Sequence, residues 1–179
     1  MKTILFVLRL ALTLLAITAV VAVALAGVNM ITAPAIAELN AQNTQAAIQA
    51  VLPGGGEELA SFPAVDLVSK VYASDSGYAV QVTPGGFDNT ITMMVGVDKS
   101  GSVLGIDVIS HSETAGLGAV ADAETPAGIA FRERFVGKSG SVSVTKDGGQ
   151  IDAITGATIT SRAVCAGVNA ALECVAQMG

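Results

Sequence analysis

The chain has 179 residues, which suits one domain of ordinary size plus an accessory segment. Only 13% of its residues are charged, whereas a soluble domain usually carries about 25%, so part of the chain is expected to lie outside water. The formal net charge is −6, and setting aside the N-terminal Lys2 and Arg9 leaves 7 basic against 15 acidic residues, or −8. Such an acidic field repels a phosphate backbone and argues against nucleic-acid binding.

The first predicted element is a transmembrane helix over residues 10–28. No charged residue occurs between Leu10 and Ala37, and a helix needs about 20 apolar residues to cross a bilayer. The basic residues of the first segment, 1–9, precede this span, and Glu38 is the first charge after it. The positive-inside rule therefore predicts a cytoplasmic N-terminus and an extracytoplasmic remainder, in a single-pass protein of the cell membrane.

A cleaved signal peptide is the alternative interpretation of this segment. The small residues of "APAIAE" (residues 33–38) have the spacing of a cleavage site. The apolar run is longer than the 7–15 residues of a usual signal core, which favours an uncleaved anchor.

Residues 29–60 are predicted to form a helical connector, with an alanine-rich helix over about Ala37–Val51 that Pro53 and the following glycines stop. Four β-like runs come next, and the turn signal "DKSG" between the last two predicts an antiparallel meander. The runs lie around Val65–Ala73, Tyr78–Thr83, Thr90–Val97 and Val103–Ser110.

The second half begins with a loop-rich stretch and a short helix, "GIAFRERFVG", followed by a strand-like "SVSVTK" and a final helix that opens near Thr160 or Ser161. Strands grouped first and helices at the ends predict an α+β fold, in which a central, mostly antiparallel sheet and flanking helices form one extracytoplasmic domain over residues 61–179. In the final helix Val164, Val168, Leu172 and Val175 recur at helical spacing and should face the core.

The two cysteines, Cys165 and Cys174, both fall in the final helix. Nine helical steps separate them by roughly 13 Å, which is too far for a disulfide, so we expect two small buried side chains; the alternative is a regulatory or intermolecular thiol. Neither cysteine has the spacing of a metal site, and His111 with Glu113 cannot form one alone.

A hydroxyl-rich turn, "DAITGATITS", precedes the final helix. The first N–H groups of a helix lack intrahelical partners and carry partial positive charge, so such a place binds anions, above all phosphate. Gly156 allows a close backbone approach, and threonine hydroxyls can donate to phosphate or be esterified by it. The simpler alternative is that Thr160 or Ser161 caps the helix and that the turn has no further role.

The turn matches the signature D-x-x-[S/T]-G-A-T, and on these residues the chain resembles the FMN-binding domain family. In that family a flavin transferase attaches FMN through its phosphate to the last threonine of the motif. The resemblance implies that Thr158 carries a covalent FMN and that Asp152 assists recognition or activates the hydroxyl. Thr155, Gly156 and Ala157 complete the implied cofactor-binding motif.

A second block, "GIDVISHSETAGLG", resembles the family's strand followed by H-x-E-T-P-G-L-G, with Ala115 in place of the usual proline. The resemblance implies flavin contacts from this loop; the residues concerned are His111, Glu113, Thr114, Gly116 and Leu117. By itself His111 is better explained as a loop or supporting residue than as a general base, since nothing nearby completes a catalytic pair. Lys146 either neutralises the phosphate charge or is a solvated strand end.

The layout of one N-terminal span, an outer flavin domain and a short chain resembles the G-subunit family of Rnf electron-transport complexes. This implies an electron-transfer flavoprotein, not catalytic alone, in a complex that couples electron flow between ferredoxin and NAD to ion translocation. The implied partners are the membrane, other subunits of the complex and, during maturation, the flavin transferase. Three alternatives remain: the C subunit of a sodium-pumping NADH:quinone reductase, a free-standing membrane-anchored FMN relay, and a tethered binding domain without flavin.

Overall fold

A computed structural model describes residues 2–178. The helices are α1 (Lys2–Val51), α2 (Pro126–Glu133) and α3 (Thr158–Ala176). The strands are β1 (Glu57–Glu58), β2 (Val68–Ala73), β3 (Gly77–Val82), β4 (Thr92–Asp98) and β5 (Val103–Ser110). Short 3₁₀ helices lie at Gly118–Ala121 and Thr145–Asp147. This α+β composition confirms the predicted fold class.

The chain up to Gln42 forms one compact unit and consists of α1 alone. Among the described residues, this one helix is long and apolar enough to cross a membrane. The hydroxyl groups of Thr13, Thr18 and Thr32 bond back to carbonyls of the preceding turn, so they need no water. The two helices predicted over 10–28 and 37–51 form one continuous helix in the structure. Pro34, the one proline between them, lies inside α1 and does not end it.

The second unit starts at Asn43 and contains the sheet, whose strands follow the order β1-β2-β3-β4-β5 and are all antiparallel. The predicted meander is therefore confirmed, and β1 is an additional two-residue strand that the sequence did not indicate. The Asp98 carboxylate closes the β4–β5 turn by accepting hydrogen bonds from the N–H groups of Ser100 and Ser102.

Both faces of the sheet are covered. On one face, α2 and α3 pack a core that includes Phe131, Phe135 and the four predicted α3 residues, all of them buried as expected. On the other face, the last turns of α1 place Ile48 and Val51 against Tyr72 and Met94. Strand β4 is buried on both sides, which accounts for its continuous apolar sequence.

Cys165 and Cys174 are free and buried, as predicted. Desolvation by the surrounding core raises the pKa of the Cys165 thiol to about 11, so it stays protonated at neutral pH. Both cysteines therefore behave as small apolar side chains of α3.

The strand predicted at "SVSVTK" is wrong. Only an isolated bridge, between Val144 and Ile151, forms there. The N–H of Val142 donates to the Asn169 side chain on α3, and the Val144 carbonyl accepts from Asp147 and Gly149, so these groups are not free to join a strand.

The start predicted for the final helix is also wrong. Helix α3 begins at Thr158, and Ala157 precedes it without any side-chain cap. Thr160 and Ser161 lie inside the first turn, where both are buried. The interpretation of either residue as a simple N-cap is therefore excluded. The short helix α2 likewise begins earlier than predicted, at Pro126, where the Thr125 hydroxyl caps it.

Candidate functional site

A cleft of about 270 Å³ opens at the N-terminus of α3. Its walls come from four segments: the loop after β3, the loop after β5, the 3₁₀ helix that carries Lys146, and the first turn of α3. The residues that line it are Phe87, Glu113, Thr114, Leu117, Gly118, Lys146, Gly156, Ala157, Thr158, Ile159 and Thr160.

Thr158 is the first residue of α3, and its hydroxyl oxygen accepts a hydrogen bond from Lys146 Nζ at 3.1 Å. The first N–H groups of a helix lack intrahelical partners. The first turn of this 19-residue helix therefore presents unpaired N–H groups and a partial positive charge beside Thr158. An ammonium group, a hydroxyl and a helix N-terminus therefore converge within one cleft. This donor set matches a phosphate group.

Asp147, the residue after Lys146, connects this 3₁₀ helix to α3. Asp147 forms a two-pronged ion pair with Arg162 of α3, and both nitrogen–oxygen distances are 2.7 Å. Hydrogen bonds from the Arg162 guanidinium lower the pKa of the Asp147 carboxyl. The 3₁₀ helix is thus attached to α3 one turn beyond Thr158, which keeps Lys146 beside the hydroxyl.

The backbone of the motif turn is held by Ser161. Its hydroxyl donates to the Ala157 carbonyl and accepts from the Ile154 N–H at 3.0 Å. Gly156 has a φ of +77°, a conformation that side chains with a Cβ rarely adopt, and a Cβ there would stand 3.0 Å from Leu117. The glycine is therefore needed both for the turn and for the close approach of the opposite loop.

Glu113 is a buried carboxylate in the wall of the cleft. Its Oε1 accepts hydrogen bonds from the N–H groups of Phe87, at 2.8 Å, and of Asp88, at 3.4 Å. Its Oε2 accepts a hydrogen bond from the Thr160 hydroxyl of α3. The carboxylate is therefore satisfied by protein donors and joins two walls of the cleft.

Seven of the eleven predicted site residues line the cleft: Glu113, Thr114, Leu117, Lys146, Gly156, Ala157 and Thr158. The other four do not. Gly116 and Thr155 are exposed in adjoining turns, and the backbone carbonyl of the exposed Asp152 accepts a hydrogen bond from Arg134. His111 supports the loop from behind, because its Nδ1 accepts from the Glu113 N–H at 3.1 Å and its Nε2 lies 3.6 Å from an Asp122 oxygen.

Sequence reasoning missed Phe87, Gly118, Ile159 and Thr160. Phe87, Ile159 and the predicted Leu117 are 66%, 49% and 44% exposed, so they give the cleft an apolar mouth. Within residues 2–178 no group of three His, Cys, Asp or Glu could hold a metal ion. The cleft combines an ammonium group and a helix N-terminus with an apolar mouth, which suits an anionic ligand with an apolar body.

Comparison with known proteins agrees with this chemistry. A family model described as "FMN-binding domain" matches residues 86–173, a range that includes all the lining residues. The chain is 35% identical, over 93% of its own length and 90% of the relative, to the G subunit of the Na⁺-translocating ferredoxin:NAD⁺ oxidoreductase complex of Acetobacterium woodii.

Two further relatives are both named as the G subunit of an ion-translocating oxidoreductase complex. The protein from Vibrio vulnificus is 43% identical over 52% of this chain and 46% of the relative. The protein from Aliivibrio fischeri is 41% identical over 54% of this chain and 48% of the relative. These two matches thus span about half the length of the relatives.

Proposed function

Because the chain belongs to the G-subunit family of ion-translocating oxidoreductase complexes and contains an FMN-binding domain, we propose that it holds FMN through a phosphoester at Thr158. In this role it is an electron-transfer subunit of a membrane complex and is not catalytic alone. The observation that carries the proposal is the Thr158 hydroxyl itself, which opens α3 inside the cleft with the Lys146 ammonium 3.1 Å away.

The residues present fit FMN at both ends of the molecule. At the phosphate end, Lys146 and the N-terminus of α3 offset the negative charge. Glu113, the one carboxylate in the wall, already accepts hydrogen bonds from the Phe87 N–H and the Thr160 hydroxyl. At the ring end, Phe87, Leu117 and Ile159 supply apolar surface. FMN supplies reversible electron uptake, and the protein's part is to position the ring and tune its potential.

A covalently attached flavin is suited to relaying electrons and not to diffusing as a carrier, because its ring stays at one distance from the electron donor and acceptor. The attachment requires a flavin transferase during maturation and an activated donor, a flavin dinucleotide: its pyrophosphate bond breaks, the FMN phosphoryl group passes to the Thr158 oxygen, and the nucleoside monophosphate leaves with the hydroxyl proton. The exposed Asp152 and Thr155 leave the motif turn accessible to such an enzyme.

The long apolar α1 supports a membrane anchor, and the basic residues at its N-terminal end support a cytoplasmic N-terminus with the FMN domain outside. We divide the chain into a cytoplasmic segment (1–9), a membrane span (10–28), a connector (29–60) and the FMN-binding domain (61–179).

The name of the Acetobacterium relative indicates ferredoxin and NAD⁺ as the ends of its electron path and Na⁺ as its ion. By analogy, we propose that this chain relays electrons in a complex that couples such flow to ion translocation, with the other subunits as its partners.

Denaturing electrophoresis under ultraviolet light tests the proposal. Protein produced in cells that have a flavin transferase should give a fluorescent band, and Thr158→Ala should abolish the fluorescence while the domain still folds. Thr145→Ala is the matched control: it removes an exposed threonine hydroxyl that lies outside the motif and does not line the cleft, and it should retain the wild-type signal. A fluorescent Thr158→Ala band would show that the acceptor is a different residue.

A further inference from the structure

We propose that Glu113 is a positioning residue whose buried carboxylate holds the Gly86–Asp88 loop against the first turn of α3, so that Phe87 covers the flavin ring. The inference rests on the proposed function for the identity of the ligand. The hydrogen-bonded contact that it describes, here called the carboxylate latch, consists of Glu113, its donors Phe87 and Asp88 on one side, and Thr160 on the other.

The latch joins segments that are far apart in sequence. Glu113 lies 26 residues from Phe87 and 47 residues from Thr160, yet its two oxygens contact both. Hydrogen bonds to an ionised acceptor are about twice as strong as neutral ones, and breaking one here would leave a buried carboxylate oxygen without its donor. The latch therefore resists separation of the two walls.

Two glycines make room for the carboxylate. A Cβ added to Gly86 would overlap Glu113 Oε1, and a Cβ added to Gly118 would overlap Glu113 Oε2. The backbone thus approaches Glu113 from both sides more closely than any side chain allows. Neither glycine has a positive φ, so the close approach, and not a turn conformation, explains their presence.

This arrangement explains how the Phe87 ring is presented at the mouth of the cleft. Its side chain is 66% exposed at the cleft mouth, while its N–H is bonded to the carboxylate. The backbone is therefore fixed although the ring is not packed in the core. An exposed aromatic ring on a fixed backbone offers a stacking surface to a flat ligand, since aromatic groups prefer offset-stacked or edge-on contacts.

The test uses the full-length chain in detergent and the isosteric change Glu113→Gln. Glutamine keeps the oxygen that accepts from Phe87, and its NH₂ group can only donate to the Thr160 hydroxyl, so the change removes the negative charge that strengthens both contacts. In the flavin-free Thr158→Ala background, we expect amide exchange at Phe87 and Asp88 to accelerate about tenfold as the charge-assisted bonds weaken. Glu133→Gln, an exposed change on α2, is the control and should leave this exchange unchanged.

In flavin-loaded protein the readout is quenching of flavin fluorescence by iodide. We expect Phe87→Ala and Glu113→Gln each to increase quenching, and the double variant to quench no more than Phe87→Ala alone. Additive effects of the two changes, or unchanged quenching in both, would overturn the inference while flavin attachment remained intact. Absence of flavin from the wild-type chain would instead contradict the proposed function, and amide exchange would still decide on the latch.

Thr160→Val keeps the test decisive if Glu113→Gln does not fold. This change has nearly the same shape and removes only the hydroxyl that donates to Glu113 Oε2. It should accelerate exchange at Phe87 in the same direction as Glu113→Gln. Wild-type exchange at Phe87 in a folded Thr160→Val chain would contradict the role of the latch in joining the two walls.

Discussion

At the scale of single residues, the site depends on the pairing of Lys146 with Thr158. The lysine is exposed and its charge has no acidic partner among the ion pairs of the described residues. Its ammonium instead contacts the hydroxyl at which we propose the phosphoester forms. Lys146 can therefore act on the phosphate of the incoming flavin as well as on the attached group.

We predict that Lys146→Met slows flavin attachment about tenfold, because one charge-assisted hydrogen bond to phosphate, worth about 1.5 kcal/mol, is lost. Lys146→Arg keeps the charge and should attach flavin at a rate close to that of the wild type. The measurement is the time course of in-gel fluorescence with purified transferase.

The matched control is Lys138→Met. Lys138 donates to Gln150 Oε1 at 2.9 Å and does not line the cleft. Equal rates for Lys146→Met and Lys138→Met would mean that Lys146 is only a solvated side chain.

Single residues also show the limit of the sequence analysis. Thr158, Gly156 and Lys146 could be named as candidates, and the structure places them in the cleft, because the motif and its neighbourhood are local in sequence. The pairing of Glu113 with Thr160 has no local signal, since 47 residues separate them and only the fold brings them together. Phe87 was missed for the same reason: its backbone, held by Glu113, connects it to the site.

At the scale of elements, the 3₁₀ helix at Thr145–Asp147 is held to α3 by the ion pair between Asp147 and Arg162. Both side chains are partly exposed, so the contribution of the pair is small and decreases as salt increases. Its pH dependence has a defined sign. The folded-state pKa of Asp147 is lowered, so the pair stabilises the fold above the unfolded pKa, about 3.9, and is lost as the pH falls through the folded value.

We therefore predict that Asp147→Asn lowers the thermal unfolding midpoint slightly at pH 7, and that the difference from the wild type shrinks as the pH falls below about 3.9 and through the lowered folded-state pKa of Asp147. Asp75→Asn is the control, since Asp75 is exposed and forms no ion pair with any described residue. A wild-type advantage over Asp147→Asn that stays unchanged as the carboxylate becomes protonated in acid would show that this carboxylate acts otherwise than through its charge.

The elements that were predicted correctly are those with strong local patterns. The four long strands alternate or run apolar between turn residues, and the β4–β5 turn has its own signal in Asp98–Gly101. The start of α3 was misplaced because Ala157 offers no capping side chain, which is the feature that marks a helix start in a sequence. The strand predicted near Val142 failed because a side chain of α3 takes the backbone donor that a strand would use.

At the scale of the whole molecule, the composition is explained by two parts with different surroundings. Helix α1 lowers the charge content, since Lys2, Arg9 and Glu38 are its only charged residues, and its large apolar side chains from Phe6 to Leu39 are exposed, as suits contact with lipid. The acidic residues all lie at or beyond Glu38, in the part that we propose faces the extracytoplasmic side. The compact unit that starts at Asn43 buries apolar side chains on both faces of its sheet, and the last turns of α1 cover one of these faces.

The most direct test of the central claim is mass spectrometry of the tryptic peptide Asp147–Arg162 from protein purified from its native host. Trypsin cleaves after Lys146 and Arg162, so this peptide holds Thr155, Thr158, Thr160 and Ser161 together. We predict a peptide heavier by one esterified FMN, with fragments that assign the added mass to Thr158. An unmodified peptide, or an FMN assigned to one of the other hydroxyls, would contradict the proposed attachment.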